Sequence, residues 1–200
     1  MSGMKTNSRF ARAMALIDAA NAADPVRVPF EGSELPRAVV DSIRVGRWVE
    51  RLQPGASEAL RLAARAHHLR RWERPRTDYP DGRGGYLRWR SDLQRFHAEA
   101  AGALMRTAGC DDATTHRAAA IIRKERLAAD PEVRTLEDAV CLVFLESELA
   151  EFAGRIEREK LLTILKKSWG KMSEAGRDAA LGLALGPAER ALVRDALSEG

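Results

Sequence analysis

Three histidines and one aspartate lie on the predicted inward faces of three different helices. His67 and His68 continue the apolar stripe of the segment 57–71, and His97 lies on the apolar side of the next predicted helix. Asp138 lies on the apolar face of a third helix, where an unpaired carboxylate is costly. Helical bundles build metal sites from imidazole and carboxylate groups on facing helices. The spacing therefore predicts one divalent ion (Fe, Mn or Zn) held by His68, His97 and Asp138, with His67 as an alternative ligand.

The same residues also have structural interpretations. Asp138 follows Thr135, the predicted N-cap of its helix, by three residues, so it is placed to complete a capping box. A core histidine is commonly satisfied by a hydrogen bond without any ligand. Glu99 and Glu137 are the neighbouring acids in the sequence. In the metal-site hypothesis these acids support a ligand or move a proton during catalysis.

The most unusual segment is 70–90, which is dense in arginine and aromatic residues and contains no lysine. Its prolines and glycines predict that most of it is a long loop between the third and fourth helices. Arginine binds phosphate and carboxylate groups bidentately and stacks on aromatic rings. The segment is therefore predicted to bind an anionic small molecule or single-stranded RNA, or else to be a rigid loop whose arginines pair with nearby acids. The predicted ligand-binding residues are Arg70, Arg71, Arg74, Arg76, Tyr86 and Arg90.

The element that organises the chain is the stretch 136–146, because residues 139–145 are all apolar. A helix that is apolar on every side is buried on every side. No segment alternates convincingly with a period of two, so the sequence predicts an all-α protein with one helical bundle domain. Residues 25–33 are predicted to be a loop. The predicted helices are 9–21, 35–52, 57–71, 86 or 91 to 107, 113–127, 136–152, 156–172, 179–185 and 187–197.

Composition limits the function classes only loosely. The 200 residues suit a single domain, and a net charge of +4 allows an anionic partner without requiring one. Two cysteines at unrelated positions form no disulfide framework, no signal peptide is recognisable, and no stretch approaches the roughly 20 apolar residues of a membrane span. We therefore expect a soluble cytoplasmic protein without a membrane partner. Residues 1–7 are expected to be disordered, and the helices of 156–200 to pack on the core.

Several blocks, in order along the chain, resemble the signature sequences of the domain-of-unknown-function family 4202. They include AHHLRRWERPR (66–76), GYLRWR (85–90), FHAEA (96–100) and TLEDAVCLVFLE (135–146). That family has no established activity. The order His-His, His, Glu-Asp is also distantly similar to HD-type metal-dependent phosphohydrolases, which implies an HD-like helical core. The departures are His67-His68 in place of a His-Asp pair and the absence of histidine from 35–52.

Two functions follow from these patterns. In the first, a metal-bound water attacks a phosphorylated or nucleotide-like substrate whose charge is neutralised by the arginines of 70–76. In the second, the chain is a non-catalytic module that binds a nucleotide or RNA through 70–90. A scaffold protein is a third interpretation. No P-loop, GxGxxG or GxSxG motif is present to favour another chemistry.

Overall fold

The molecule is organised around one buried helix. The computed structural model describes residues 8–198. The helices are α1 (Arg9–Asn21), α2 (Arg37–Leu52), α3 (Glu58–Ala66), α4 (Gly82–Thr107), α5 (Asp112–Ile122), α6 (Pro131–Val143), α7 (Leu149–Ala153), α8 (Arg158–Lys171), α9 (Glu174–Leu181) and α10 (Pro187–Ser198). Helix α6 packs against α2, α3, α5, α8 and α9. The predicted all-α class and the predicted burial of this helix are confirmed.

The start of α6 differs from the prediction. Its N-cap is Asp130, whose carboxylate accepts hydrogen bonds from the backbone N–H groups of Glu132 and Val133 at 3.0 and 3.2 Å. Pro131 occupies the first turn, where its missing N–H costs nothing. Thr135, the predicted N-cap, lies inside the helix and donates to the carbonyl of Pro131. The Asp-Pro pair was therefore the true start signal.

A short antiparallel hairpin occupies most of the segment predicted to be a loop. Strand β1 (Arg27–Phe30) pairs with β2 (Ser33–Pro36). The two residues between them, Glu31 and Gly32, both have positive φ, 48° and 81°, as a primed two-residue turn requires. The prediction treated Pro29 and Gly32 as loop signals. A proline is nevertheless tolerated in a two-stranded ribbon, because each strand has a free edge.

The arginine-rich segment is more ordered than predicted. Short 3₁₀ turns form at Arg71–Glu73 and Arg76–Asp78, and α4 begins at Gly82 rather than at residue 86 or 91. Gly85 is required there, because a Cβ at this position would overlap the carbonyl oxygen of Pro80. Residues 82–90 of the segment, which include Tyr86, are therefore helical.

Two further helices end earlier than their predicted limits. Helix α3 ends at Ala66, and Arg70, in the turn that follows it, has a φ of 55°. Helix α5 stops at Ile122, and Lys124 follows with φ of 58°. Left-handed backbone is uncommon for residues with side chains and often lies near functional sites.

The C-terminal helices have bounds that differ from the predicted ones. Helix α9 begins after Ser173, five residues earlier than predicted, because Ser173 caps it through a hydrogen bond from the N–H of Gly176 at 3.1 Å. Helices α8 and α9 contact α6, and α10 contacts α8. Within residues 8–198, each helix is too short or too polar to span a bilayer. The prediction for residues 1–7 lies outside the described residues.

Candidate functional site

The structure brings the three predicted histidines together. His67 and His68 follow the end of α3, and His97 lies in the middle of α4. Ring centroids are 4.0 Å apart for His67 and His68 and 5.9 Å apart for His68 and His97. His67 is 9% exposed and His97 is 3% exposed, so the cluster lies within the core.

Backbone carbonyl groups fix the orientation of two of these rings. Nδ1 of His67 lies 2.9 Å from the carbonyl oxygen of Ala64, and Nδ1 of His97 lies 2.8 Å from that of Leu69. A carbonyl oxygen only accepts, so each Nδ1 carries the proton and each Nε2 keeps a free lone pair. Within residues 8–198, the buried Nε2 of His97 has no hydrogen-bond partner. A buried nitrogen in this state is placed to accept a proton or to bind a ligand or water molecule.

Burial keeps the cluster neutral. Desolvation lowers the pKa of His67 to about 3 and that of His97 to about 4, although the hydrogen bonds to the backbone oppose the shift. The pKa of His68 is also lowered, first by burial and then by His67 and Arg71. Imidazoles with pKa values this low are neutral hydrogen-bonding groups at physiological pH, and they do not repel a nearby cation as imidazolium does.

Arg71 is one of the cations near this cluster, together with Lys124. Its guanidinium carbon lies 4.9 Å from the centroid of the Trp89 ring, so the side chain is stacked and held in one plane. The guanidinium forms no hydrogen bond or ion pair with any side chain or carbonyl group of residues 8–198. Burial lowers the pKa of Arg71, and Arg90 lowers it further. The N–H donors of this half-buried guanidinium therefore remain available to an acceptor outside the described residues.

Two acids that the sequence analysis missed lie near Arg71. Asp41 comes from α2, and Glu148 is the last residue of a π-helical segment, Phe144–Glu148, that joins α6 to α7. Desolvation followed by repulsion from Glu148 raises the pKa of Asp41 to about 6. Burial also raises the pKa of Glu148. π-Helical turns recur at functional sites. The sequence offered one signal for this acidic pair, which was the carboxylate of Asp41 directly after Val40, a buried residue.

Asp138 does not join the histidines through any contact. Its carboxylate accepts hydrogen bonds from the N–H and the hydroxyl of Ser173 at 2.8 and 2.5 Å. Desolvation raises the pKa of Asp138, and the two hydrogen bonds oppose this shift. The partner of this core carboxylate is thus the N-cap residue of α9. Asp138 therefore holds the N-cap residue of a C-terminal helix, and the N-cap of α6 is Asp130.

A substitution at Gly176 tests this structural role. A Cβ on Gly176 would lie 2.5 Å from the Cγ of Asp138, so Gly176→Ala is expected to lower the free energy of unfolding by about 2 kcal/mol, as overpacking does. Gly170→Ala is the matched control in α8, because a Cβ on Gly170 would meet no atom within 4 Å. It is expected to be neutral or stabilising by up to about 1 kcal/mol. Urea unfolding measures both. Equal stability of the two variants would contradict the assigned contact.

The predicted catalytic acids lie in different surroundings. Glu137 is buried and forms ion pairs with Lys124 and, at 3.5 Å, with Lys171. Burial alone would raise the pKa of Glu137, but Lys124, with Lys171 and Arg90, holds it below its ordinary value. Glu99 is exposed, because two residues along α4 turn it away from the buried His97. Glu137 is therefore a paired carboxylate beside the site, and Glu99 lies outside it.

The metal centre stays a prediction, because its ligands are not gathered into one cluster within residues 8–198. Among residues 8–198, no group of three or more His, Cys, Asp and Glu side chains is arranged to hold a metal ion. The carboxylate of Asp138, which was to complete a set with His68 and His97, is hydrogen-bonded to Ser173. The groups that the structure does bring together are neutral imidazoles and a stacked guanidinium.

Half of the predicted ligand-binding residues are used within the fold. Arg70 pairs with Glu73 at 2.6 Å, and Arg76 donates to the carbonyl of Tyr79 at 2.8 Å. Arg74 stacks over the ring of Phe96, 5.0 Å from its centroid. The other three predicted residues are Arg71, Tyr86 and Arg90. Tyr86 and Arg90 act electrostatically on Arg71, and Arg71 acts on the three histidines.

A groove of about 410 Å³ between α1, α2 and α3 is also lined by arginines. Three of these cations are paired with acids, and no histidine lines the groove. Its charge is thus largely neutralised within the fold, so it is a weaker candidate than the histidine–arginine site. The pairs are Arg47–Glu31, Arg61–Glu50 and Arg65–Asp18.

Comparison with known proteins identifies the family of the chain, and the function of that family is unknown. No curated protein and no solved structure matches the chain. The similarity to HD-type phosphohydrolases therefore rests on the sequence pattern alone. The sequence model of one family matches residues 11–193, which is most of the chain. The chain belongs to the family described as a domain of unknown function, DUF4202.

Proposed function

We propose that this protein binds a small anionic ligand with a phosphoryl group at Arg71, Arg90 and the histidine cluster. The observation that supports the proposal is the guanidinium of Arg71, which is stacked on Trp89 and has no acceptor among residues 8–198. A planar fork held in this way matches the two oxygens of a phosphate or carboxylate group. Stacking before the ligand arrives also lowers the entropy that binding costs.

The charges around the site favour an anion. Around the proposed site the cations outnumber the acids. Each acid has a raised pKa or is paired with a cation. The neutral histidines add hydrogen-bonding groups without adding negative charge. The acids are Asp41, Glu137, Glu148 and Glu151, the last of which is paired with Arg155, and the cations are Arg37, Arg44, Arg71, Arg90, Lys124 and Lys171.

Hydrolysis of a bound phosphoester is a second candidate function, and the Nε2 atom of His97 favours it. This nitrogen is buried, unprotonated and without a partner in the described chain, while Nδ1 is held by the carbonyl of Leu69. In this function Nε2 accepts a proton from a water molecule as the water oxygen forms a bond to phosphorus and the P–O ester bond breaks, and the imidazolium then returns that proton to the oxygen of the leaving alcohol. This candidate keeps the distant HD-type resemblance but assigns no step to a metal. The two free cysteines are in keeping with a reducing, cytoplasmic location.

Calorimetry with inorganic pyrophosphate tests the binding proposal. We expect the full chain to bind pyrophosphate and Arg71→Ala to lose at least about tenfold in affinity, because a hydrogen bond to a charged group contributes about 1.5–3 kcal/mol. Arg88→Ala is the matched control, since Arg88 is exposed on α4, and its affinity should not change. Absence of binding, or equal losses in both variants, contradicts the proposal.

A phosphoesterase assay separates binding from hydrolysis. The protein is purified without a histidine tag and tested in chelator and after addition of Fe, Mn or Zn, with elemental analysis of each sample. Turnover that survives the chelator and is lost in His97→Asn, with pyrophosphate binding retained, supports the hydrolytic candidate. Turnover that depends on about one bound metal ion would instead restore the metal-centre hypothesis. No turnover under any condition leaves the binding function alone.

A further inference from the structure

The exposed tyrosine beside Arg71 identifies the class of ligand. The ring centroids of Tyr86 and Trp89 are 5.9 Å apart, and the planes of the two rings are inclined by 51°. Trp89 is held in place, because its indole N–H donates to the carbonyl of Arg74 at 2.9 Å and Arg71 covers its ring. Tyr86 is 44% exposed. The free aromatic surface at the site is therefore the ring of Tyr86.

Helical spacing aligns this ring with the anion-binding groups. Tyr86 and Arg90 are four residues apart on α4, so they lie on one face about 6 Å apart along the axis. His97 is seven residues beyond Arg90 on that same face. Tyr86 also acts electrostatically on Arg71. One face of α4 thus runs from an exposed ring, past two guanidinium groups, into the buried histidine cluster.

We propose that the ligand of this site is a nucleoside phosphate, with its base stacked on Tyr86 and its phosphates on Arg71 and Arg90. This inference rests on the proposed anion-binding function. A planar base joined to an anionic group matches a ring that lies one short step from a guanidinium fork. Stacking on an aromatic side chain strengthens the binding of any base, because every base has a π-face.

The site favours a mononucleotide over a nucleic-acid strand. Binding of a strand uses several aromatic rings along a cationic groove, one for each successive base. Among residues 8–198, the other strongly exposed aromatic ring is Phe152, which lies on α7 and packs edge-on against Phe144. Arg70 and Arg76 are bound within their own segment, and Arg74 lies over the ring of Phe96. One stacking ring is enough for one base.

Calorimetry with three probes tests the inference on the full chain. The probes are inorganic pyrophosphate, ADP and a single-stranded oligoadenylate. We expect ADP to bind about tenfold more tightly than pyrophosphate, because only ADP has a base to stack. Tyr86→Ala is expected to remove this advantage and to leave the affinity for pyrophosphate unchanged. Leu87→Ala, at the next residue and 54% exposed, is the matched control and should leave both affinities unchanged.

The outcomes separate this inference from the proposed function. Equal affinities for ADP and pyrophosphate, or a full ADP advantage in Tyr86→Ala, would overturn the nucleotide assignment while the anion site stands. Tighter binding of oligoadenylate than of ADP, with a steep dependence on salt, would overturn it in favour of a strand. Failure of all probes to bind removes the anion site and the nucleotide inference together. Circular dichroism of each variant confirms that the fold is retained.

Discussion

Between pH 7.5 and pH 5, the free energy of unfolding is expected to fall by about 3 kcal/mol, because the buried histidines are neutral in the folded protein. Their pKa values in the fold, about 3 for His67 and about 4 for His97, lie below the ordinary 6.5. Below pH 6.5 the unfolded chain therefore binds more protons than the folded chain, and stability is lost as the pH falls. At pH 5 each of these two histidines costs about 2 kcal/mol, at 1.36 kcal/mol per pH unit.

Asp41 opposes this loss in the same range. Its pKa is raised to about 6 in the fold, so the folded protein takes up this proton before the unfolded chain does. Protonation of Asp41 returns about 1 kcal/mol by pH 5, so His67, His97 and Asp41 together give the value above, and His68, whose pKa is also lowered, adds to the loss. In Asp41→Asn this compensation is absent, and the decline of stability towards pH 5 is expected to be steeper than in the native protein.

Urea unfolding at half-unit pH steps measures the effect, and two histidine variants assign it. His97→Asn keeps an N–H donor near the carbonyl of Leu69 and is expected to remove about 2 kcal/mol of the loss at pH 5. His116→Asn is the matched control, because His116 is exposed on α5, and its pH profile should follow that of the native protein. Unchanged stability from pH 7.5 to pH 5 in the native chain would show that the cluster is not buried and neutral.

Much of the fold could be predicted because burial leaves a periodic trace in the sequence. The continuous apolar run identified α6 as the central helix, and the inward stripes correctly indicated that His67 and His97 lie in the core. The same periodicity says nothing about distance or partner. Asp138 does face the core, but its partner is Ser173, 35 residues further along the chain. A helical stripe defines a face, and only tertiary packing decides which groups meet there.

Other parts of the site have no periodic trace. Glu148 reaches its position through the π-helical segment Phe144–Glu148, where the chain departs from the 3.6-residue repeat on which the prediction depended. Lys124, which pairs with Glu137, has a left-handed backbone conformation, and no neighbouring glycine or proline predicts that conformation. These residues depart from the local sequence rules, and such departures concentrate at functional or strained positions.

Lys124→Met is expected to lower the free energy of unfolding at pH 7.5 by about 3 kcal/mol, because it leaves a buried carboxylate with one partner. The side chain of Glu137 is 4% exposed, and its remaining ion pair is with Lys171, whose side chain is 47% exposed. In the native protein Lys124 and Lys171 hold the pKa of Glu137 below 4.5. The two ion pairs of Glu137 therefore stabilise the fold above pH 4.5, and their contribution is lost as the pH falls through the pKa of Glu137 in the folded protein.

The partner and the control both lie in the chain. Adding Glu137→Leu to Lys124→Met removes the stranded charge, so the double variant is expected to recover most of the lost stability, as replaced buried ion pairs commonly do. Lys167→Met, exposed on α8, should stay within about 0.5 kcal/mol of the native protein. The deficit of Lys124→Met should also shrink towards pH 5, because without Lys124 burial raises the pKa of Glu137 and the folded protein takes up a proton. A deficit that is independent of pH and remains in the double variant would mean that Lys124 supports the turn after α5 by its backbone or its packing, and that its charge contributes little to the stability of the site.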